Sequence, residues 1–373
     1  VPLIVSSIIV GIAGVGGTVG LGRLGGKTLL YYLATSLIAI LTGLILVNLF
    51  APGIIEGQPA REVLGLDVEQ AAIATDKVGS RGVGDIADVF LSMVPPNIVA
   101  AAANGQMLGL IFFSLLYGYF MTRIGESRQD MQLNFWQGVY HTMMKITDFI
   151  MKFAPLGVFG LVAKVIAGIE PEQVDELAAS LGVFFITVVL ALAVHVFITL
   201  PILLKFIGRV RPFRQYVAMA PALLTAFSTA SSSATLPITL DCVEKNAKVS
   251  NRTSSFVLPL GATVNMDGTA LYECVAAMFI AQAYGLELSF TTQFVIVLVA
   301  LLTSIGVAGI PAASLVAITI ILSTIGLPLE ALGLILAVDR ILDMFRTSVN
   351  VFSDSCGAVI IARTEGEKGI LES

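Results

Sequence analysis

Residues 338–362 read VDRILDMFRTSVNVFSDSCGAVIIA, and the interpretation of the whole chain depends on the solvent around this stretch. At about 100° per residue in a helix, its polar residues cover roughly a third of the circumference, opposite an apolar side. The polar residues are Asp339, Arg340, Asp343, Arg346, Thr347, Asn350 and Asp354. In water this pattern is an ordinary amphipathic helix. In a membrane it marks a buried site, because ionised groups at that depth are costly and pair with each other or line a cavity.

The composition identifies the solvent as a membrane. Of the 373 residues, 56% are hydrophobic and 13% are charged, and the mean hydropathy is +0.92. Soluble domains carry about 25% charged residues, so this chain is predicted to be an integral membrane protein built of helices. The net charge of −5 gives no indication of nucleic-acid binding. Cys242, Cys274 and Cys356 lie in or beside apolar segments, which favours buried thiols over a disulfide or a metal site.

The first 206 residues are apolar segments around one polar loop at 51–85. Membrane segments are predicted at 1–20, 28–50, 132–168 and 177–206, with two or three short helices over 86–124. Because the chain begins with Val1 inside an apolar run, we expect further residues upstream. His195 lies in an apolar segment with no second histidine nearby, which favours a role in helix packing over a role as a ligand.

Two later segments, 216–240 and 292–323, are interrupted in the middle by small and polar residues. The first contains a serine cluster at 231–233, and the second contains SIGVAGIP at 304–311. Each apolar half is shorter than the roughly 20 residues that a membrane core requires, and polar backbone cannot face lipid unsatisfied. We therefore predict two re-entrant helical hairpins whose tips meet inside the protein, a pattern that indicates a transporter's substrate site. Two ordinary kinked helices are the alternative.

Between these two segments, the apolar stretch 253–283 is broken by NMDGT at 265–269. Asn265 and Asp267 would point to nearly opposite sides of an intact helix, and Gly268 gives the helix a reason to open there. An unwound segment supplies carbonyl groups and a carboxylate at membrane depth, which are the hard oxygen ligands of a small cation. An Asp267 that is merely hydrogen-bonded is the alternative.

The positions of Lys and Arg predict the orientation of the chain. If each span crosses once and both hairpins return to their own side, the strongly basic loops share one side of the membrane. The opposite loops are 51–85, 169–177, 284–290 and 325–330, and only the first of them carries Lys or Arg. The positive-inside rule puts the basic loops in the cytoplasm, so the first hairpin opens from the cytoplasm and the second from outside. Two gates on opposite sides of one polar centre are typical of alternating access.

Four segments resemble the signature segments of the dicarboxylate/amino acid:cation symporter family, which contains prokaryotic glutamate and aspartate transporters and animal excitatory amino-acid transporters. They are SSSATLP (231–237), NMDGTALYE (265–273), GVAGIP (306–311) and DRILDMFRTSVNVFSDS (339–355). The resemblance covers essentially the whole chain. It implies an all-α integral membrane protein with eight transmembrane helices and two re-entrant hairpins, assembled as a homotrimer in the bilayer of the inner or plasma membrane. By this alignment the first helix and part of the second are missing.

The same resemblance implies that the chain is divided into three parts. Residues 1–70 hold partial second and third transmembrane helices, and 71–206 hold scaffold helices four and five with the sixth helix of the transport domain. Residues 207–373 form the transport core of first hairpin, seventh helix, second hairpin and eighth helix. The cargo implied is a small acidic amino acid with co-transported sodium ions, and no organic cofactor is implied.

The residues that match the family's motifs define the sites that the resemblance implies. The substrate would be bound by Ala230, Ser231, Ser232, Thr269, Gly309, Ile310, Ser314, Asp343, Arg346, Thr347 and Asn350. One sodium site would use Gly261, Asn265, Asn350 and Asp354. A second would use carbonyl groups of Thr263, Ser304, Ile305 and Val307. A third would use Tyr32, Thr35, Ser36, Asn265 and Asp267.

The chemistry of the final helix agrees with an acidic amino acid as ligand. The Asp343 carboxylate suits an ammonium group, the Arg346 guanidinium suits a side-chain carboxylate, and Asn350 with a hairpin helix N-terminus suits the α-carboxylate. Asp343 and Arg346 are three residues apart, so they can partly neutralise each other without substrate. Relatives carry an extra Arg at the position of Ala230 or directly after the acid that matches Asp343, whereas this chain has Arg340.

These features predict a secondary active transporter that imports glutamate or aspartate by sodium-coupled symport, with an elevator or alternating-access mechanism gated by two hairpins. Glu273 matches an acid that animal members use in proton coupling, so proton-coupled glutamate symport is an alternative, as is C4-dicarboxylate symport. A pure channel is disfavoured because opposed hairpins indicate gating in turn. A membrane enzyme is disfavoured because neither histidine has a plausible partner and the serine cluster has no evident base.

We predict that residues 304–314 form the extracellular gate, because this segment is rich in small residues and lies on the side whose loops are poor in Lys and Arg. The thiol of an Ala308→Cys variant should react with an impermeant reagent applied from outside in the ligand-free protein and be protected by substrate with sodium. Mass spectrometry measures the labelling, with the unsubstituted chain as control. Equal labelling in both conditions would contradict the gate.

Overall fold

The computed structural model describes residues 1–16, 21–63, 91, 93–104, 106–167, 173–286, 288–306, 313–327 and 329–372. Over these residues the chain is almost entirely helical, apart from one antiparallel pair of short strands, β1 (Ile54–Ile55) and β2 (Gln58–Pro59). The helices of the first half are α1 (Pro2–Gly16), α2 (Gly26–Phe50), α3 (Ala60–Val63), α4 (Ile98–Ala103), α5 (Met107–Met121), α6 (Glu126–Met151), α7 (Ala154–Ala167), α8 (Val174–Val194) and α9 (Leu200–Phe206). Those of the second half are α10 (Pro212–Thr229), α11 (Ser232–Asp241), α12 (Asn251–Val264), α13 (Asp267–Ala283), α14 (Phe290–Gly306), α15 (Ala313–Ile325) and α16 (Gly333–Thr364).

In the described part of the chain, two continuous helical stretches are long and apolar enough to cross a membrane. They are Arg23–Phe50, with 28 residues, and Val174–Phe206, with 33 residues. They confirm the helices predicted at 28–50 and 177–206. Large apolar side chains on their outer faces, including Leu30, Ile45, Ile186 and Phe197, are exposed. Such faces need an apolar surrounding, as a lipid bilayer provides.

The break that the sequence predicts between the two interrupted segments is confirmed, and it is confined to two residues. Between α12 and α13, Asn265 (φ −102°, ψ 98°) and Met266 (φ −123°, ψ 60°) leave the helical conformation. The sequence predicts that Gly268 opens the helix. Gly268 instead lies in the first turn of α13. A Cβ at Gly268 would come within 2.7 Å of the Arg346 carbonyl oxygen, so glycine is required because α13 and α16 lie so close together.

The two segments that small and polar residues interrupt, 216–240 and 292–323, each contain a pair of helices packed against each other. In the first pair, α10 ends at Ala230, which adopts a left-handed conformation (φ 50°, ψ 40°). The Ser231 Oγ then accepts a hydrogen bond from Ala234 N (3.2 Å) and caps α11, so the chain reverses within two residues. In the second pair, α14 and α15 flank residues 307–312, which lie outside the described residues.

Helices α13 and α16 form the centre of the packing. Every residue of α13 except Gln282 is buried, and α16 is buried throughout 349–362. α13 packs on α2, α14, α15 and α16, and α16 also packs on α10 and α12. The helix predicted over 338–362 is confirmed as part of α16. In its C-terminal half both the polar stripe and the apolar side pack on protein, so the polar stripe is enclosed by the helices that carry the other predicted site residues.

The beginning of α2 and the end of α16 are joined by a polar contact. Lys27 Nζ donates to the Thr364 carbonyl oxygen (2.9 Å) and pairs with the Glu365 carboxylate. The hydrogen bond from Lys27 lowers the pKa of Glu365, which lies beyond the end of α16, below its usual value. The contact ties two helices that are distant in sequence at one end of the core.

Gly43 on α2 lies directly against α13. A Cβ there would lie 2.9 Å from Val275 Cγ2 and 3.2 Å from the Leu271 carbonyl oxygen. We expect Gly43→Ala to lower the free energy of unfolding in detergent by about 1–3 kcal/mol, because the facing backbone cannot move aside without disturbing the core. Gly182→Ala in α8, where a Cβ meets open space, is the matched control and should be neutral or slightly stabilising. An unchanged thermal transition for Gly43→Ala would contradict the packing.

Candidate functional site

Two polar clusters lie along α16. We call Thr35, Ser36, Asn265, Asp267 and Asp354 the carboxylate cluster, and Tyr272, Asp339, Asp343 and Arg346 the arginine cluster. Every member of the carboxylate cluster is buried, and in the arginine cluster Tyr272 and Arg346 are buried while the two acids are partly exposed. Groups of this kind are stable away from water only when they are paired or hydrogen-bonded, so their contacts show how each cluster is held.

The break between α12 and α13 turns Asn265 and Asp267 towards the same cluster. Ser36 Oγ donates to Asp267 Oδ1 (2.6 Å), and Thr35 Oγ1 lies 3.3 Å from the same oxygen. Thr35 Oγ1 and Ser36 Oγ also lie 3.5 Å from Asn265 Oδ1. On an intact helix two residues at this spacing would diverge, so the irregular backbone at the break creates the site.

Asn265 also joins Asp267 to the second carboxylate of the cluster. Its Nδ2 donates to Asp354 Oδ1 (2.8 Å) and to Ser353 Oγ (3.2 Å). Ser353 Oγ in turn donates to Asp267 Oδ2 (2.5 Å). The two carboxylates therefore share a network of hydrogen-bond donors, and the network presents carboxylate, amide and hydroxyl oxygens, which are ligands for a small hard cation.

Gly261 lets this network approach the backbone of α12. A Cβ at Gly261 would lie 2.5 Å from Asp354 Oδ1 and 2.7 Å from the Tyr32 hydroxyl oxygen. Tyr32 OH donates to the Val257 carbonyl oxygen (2.7 Å). The structure thus brings Gly261, Asn265 and Asp354 of the first predicted sodium site together with Tyr32, Thr35, Ser36 and Asp267 of the third. In the part of the chain that the structure describes, no group of three or more His, Cys, Asp or Glu residues is arranged to hold a metal ion.

Asn350, which the sequence assigns both to the substrate and to sodium, holds the first turn of α13. Its Oδ1 accepts a hydrogen bond from Gly268 N (2.8 Å), and its Nδ2 donates to Thr269 Oγ1 (3.0 Å). Asn350 lies one helical turn from both Arg346 and Asp354, so it stands between the two clusters on α16.

The arginine cluster encloses a guanidinium that is 1% exposed. Arg346 Nη2 donates to Asp343 Oδ1 (2.9 Å), and Nη1 lies 3.1 Å from Asp339 Oδ1. The guanidinium carbon lies 3.9 Å from the centre of the Tyr272 ring, a cation–π geometry. The pair of Asp343 and Arg346 that the sequence suggests is present. The contact with Asp339 was not assigned from the sequence, although its spacing of seven residues from Arg346 places both on one face.

Arg340 also reaches this region. Its Nη1 lies 3.8 Å from Asp343 Oδ2, and its side chain is 74% exposed. The Asp343 carboxylate therefore has one buried and one exposed arginine beside it. Because exposed ion pairs are weak, Arg346 dominates the environment of Asp343 in this structure.

The other predicted site residues are placed only in part. Ala230, Ser231 and Ser232 are half-buried at the turn between α10 and α11, and Ser304 and Ser314 are buried in α14 and α15. Thr347 is buried one residue after Arg346, and Thr263 lies in the last turn of α12. Val307, Gly309 and Ile310 lie outside the described residues, as does the side chain of Ile305. Their roles stay predictions.

One further buried side chain contacts the carboxylate cluster, and another follows Tyr272 of the arginine cluster in α13. His195 Nε2 lies 3.1 Å from Asp267 Oδ2, with both side chains fully buried. The apolar segment around His195 predicts a role in helix packing. No local pattern in the sequence indicates the contact between His195 and Asp267. Glu273 is also buried, and its Oε2 accepts a hydrogen bond from Thr303 Oγ1 (3.0 Å).

The sequence of the chain is similar to those of known membrane transporters. The profile of the sodium:dicarboxylate symporter family matches residues 1–364. The chain is 37% identical over 367 residues to the proton/sodium-glutamate symport protein of Bacillus caldotenax, which covers 98% of this chain and 84% of the relative. It is 37% identical over 372 residues to the proton/glutamate-aspartate symporter of Escherichia coli (strain K12), covering 98% and 82%. It is 38% identical over 401 residues to excitatory amino acid transporter 3 of Homo sapiens, covering 97% and 76%.

Proposed function

Because the chain belongs to the sodium:dicarboxylate symporter family, we propose that it imports glutamate or aspartate across the cell membrane together with sodium ions. The protein is a membrane transporter and not an enzyme. Relatives whose names refer to glutamate symport support the acidic substrate. The observation that carries the proposal is the buried Arg346, held between two carboxylates at the centre of the helices.

The arginine cluster suits a ligand with one ammonium and two carboxylate groups. In the ligand-free state Asp343 and Arg346 satisfy each other, so neither buried charge is left unpaired. An entering acidic amino acid exchanges this pair for two new ones, with its ammonium on Asp343 and its side-chain carboxylate on Arg346. Asp339 and the Tyr272 ring hold the guanidinium in place during the exchange. A C4-dicarboxylate has no ammonium and would leave Asp343 with only the exposed Arg340 beside it, which disfavours that alternative.

The carboxylate cluster suits the co-transported cation. Two buried carboxylates in one network repel each other, and a monovalent cation between them reduces this repulsion. Asp267 Oδ1 forms one group of oxygens with the Thr35 and Ser36 hydroxyls and Asn265 Oδ1. Asp354, which accepts from Asn265 Nδ2, lies beside this group. The carbonyl groups of Thr263 and Ser304, with those of Ile305 and Val307, are proposed as a further sodium site from the resemblance alone.

The proposed transport cycle uses the two helix pairs as re-entrant hairpins. α10 and α11 would form the cytoplasmic gate, and α14 and α15 the extracellular one. The transport core, residues 207–373, would move as an elevator together with α2, which carries Thr35 and Ser36, and with the sixth helix of the transport domain. It would move against the scaffold helices in 1–70 and 71–206, and the protein would assemble as a homotrimer in the bilayer. The dense packing of α13 and α16 supports a core that moves as one body.

Proton coupling is the second candidate mechanism, and the buried Glu273 is the observation that favours it. It lies in α13 one residue after Tyr272 of the arginine cluster, and relatives are named proton/sodium-glutamate and proton/glutamate-aspartate symporters. Uptake of labelled glutamate and aspartate into proteoliposomes, with sodium, proton and potassium gradients varied independently, separates the two. Full uptake in sodium-free buffer with only a proton gradient would overturn sodium coupling.

We predict that Asp354→Asn weakens the dependence of uptake on sodium, because the change removes a negative charge from the cluster while keeping its size. The sodium affinity of the affected site should fall by at least about ten-fold. The sodium concentration for half-maximal uptake should rise as a result. Asp241→Asn is the control, since Asp241 is exposed and pairs with Lys245 on the surface. Identical sodium curves for Asp354→Asn and the unsubstituted protein would count against a cation at this carboxylate.

We predict that Arg346→Cys abolishes binding of acidic amino acids and permits weak sodium-dependent binding of serine or alanine. Removing one side of a buried charge pair costs about 3–5 kcal/mol, or roughly a hundred-fold or more in affinity, and a neutral side chain loses no such partner. Calorimetry with aspartate, glutamate, serine and alanine measures both effects. Arg340→Cys is the matched control and should retain acidic selectivity, because Arg340 is exposed. Loss of acidic amino-acid binding in Arg340→Cys but not in Arg346→Cys would show that Arg340 holds the side-chain carboxylate of the substrate.

A further inference from the structure

The apolar span formed by α8 and α9 contains one irregular turn, at His195. Residues His195–Thr199 form a π-helical turn in which Leu200 N donates to the His195 carbonyl oxygen. The cause lies in the sequence: Pro201 has no backbone N–H, and its ring clashes with the preceding turn of a regular helix. Widening the helix by one residue relieves the clash. Single π-turns of this kind are frequent at functional sites.

The π-turn leaves one carbonyl group free for a contact from another helix. The Val196 carbonyl oxygen would normally accept from Leu200 N, which is used by His195, and Pro201 offers no donor in its place. Tyr216 OH of α10 donates to this oxygen (2.6 Å). The Tyr216 ring also stacks on Phe352 of α16, with 4.6 Å between the ring centres. The backbone at His195 is therefore fixed by two neighbouring helices.

Among the described residues, the side chain of His195 has one polar contact, to Asp267. Nε2 lies 3.1 Å from Asp267 Oδ2, and a carboxylate oxygen only accepts, so Nε2 donates. Nδ1 is buried and has no hydrogen-bond partner among the residues that the structure describes. A histidine that served packing alone would gain nothing from a buried, unpaired ring nitrogen, which an apolar side chain of similar size would avoid.

The contact fixes which oxygen of Asp267 faces the rest of the carboxylate cluster. Oδ2 accepts from both His195 Nε2 and Ser353 Oγ. Oδ1 is left on the side of Thr35 and Ser36. With one oxygen held by two donors, the carboxylate cannot rotate freely about its χ2 torsion, so the other oxygen keeps a fixed direction.

We propose that His195 is a positioning residue for the cation site at Asp267. It donates a hydrogen bond from Nε2 to Oδ2 and thereby aims Oδ1 at the cation that Thr35, Ser36 and Asn265 also face. This inference rests on the proposed sodium coupling and adds to it a residue that lies outside the predicted ligands. Outer contacts of this type orient the ligands of metal sites and contribute to metal affinity.

The test compares two amides that differ in reach. The Nε2 of Gln at position 195 can occupy the place of the imidazole Nε2, whereas the Nδ2 of Asn ends about one bond short of it. We expect His195→Gln to keep the sodium dependence of uptake, and His195→Asn and His195→Leu to raise the sodium concentration for half-maximal uptake. Loss of an outer hydrogen-bond donor costs about ten- to hundred-fold in affinity at one metal site. If three sodium ions bind together, the sodium concentration for half-maximal uptake rises by the cube root of that loss, which is roughly two- to five-fold.

Controls separate this effect from a general loss of packing. Thr187→Val removes a buried hydroxyl on α8 that bonds only within its own helix, to the Val183 carbonyl oxygen (2.7 Å), and should leave the sodium curve unchanged. Half-saturation by glutamate at saturating sodium is measured in parallel and should not change in any variant that folds. If His195→Leu fails to fold, the comparison of Gln with Asn decides the question alone.

The outcomes are distinguishable. Sodium-independent uptake by the unsubstituted protein overturns the proposed function and this inference with it. Sodium-dependent uptake in which His195→Gln and His195→Asn have the same sodium curve overturns the inference and leaves the proposed function intact. A sodium concentration for half-maximal uptake that rises in His195→Asn and not in His195→Gln supports a hydrogen-bond donor at Nε2, because the two variants differ by one methylene group.

Discussion

The structure depends on the pairing of ionised groups that have no access to water. Arg346, Asp267 and Asp354 are buried among helices whose outer surfaces are apolar. Each would be prohibitively costly alone. The Arg346 guanidinium pairs with two carboxylates of its own helix and packs on the Tyr272 ring of α13. The two buried carboxylates accept hydrogen bonds from residues outside their own helices, and these contacts join α2, α12 and α13 to the polar stripe of α16. The central packing is therefore as much an electrostatic necessity as an apolar one.

The break between α12 and α13 is the local device that makes this pairing possible. A regular helix would direct Asn265 and Asp267 apart, whereas a break of two non-helical residues, Asn265 and Met266, brings both side chains to the same cluster. The backbone groups released by the break are taken up by α16, since Asn350 accepts from Gly268 N. Close approach then requires glycine at two places, Gly261 and Gly268, where a side chain would strike Asp354 or the backbone of Arg346.

The ligand-free structure keeps its charges balanced through contacts that a substrate can replace. Arg346 rests on Asp343 and Asp339, and the carboxylate cluster is held by serine, threonine and asparagine side chains. His195 also contacts this cluster, at Asp267 Oδ2, and the oxygens of Asp267 and Asp354 are hard ligands of the kind that a small cation prefers. Asn350 lies between the two clusters on α16 and contacts the first turn of α13.

The sequence by itself determined the membrane environment, the helical class, the two interrupted segments and the polar stripe of α16, because hydropathy and helical period are local properties. It also placed the break at Asn265 and, through motifs, the members of the carboxylate cluster together with Asp343 and Arg346. Only the tertiary structure decided which groups meet. The contact of His195 with Asp267 joins residues that are 72 positions apart, and the true reason for Gly268 is the proximity of α16. Such contacts depend on how helices cross, which no local pattern records.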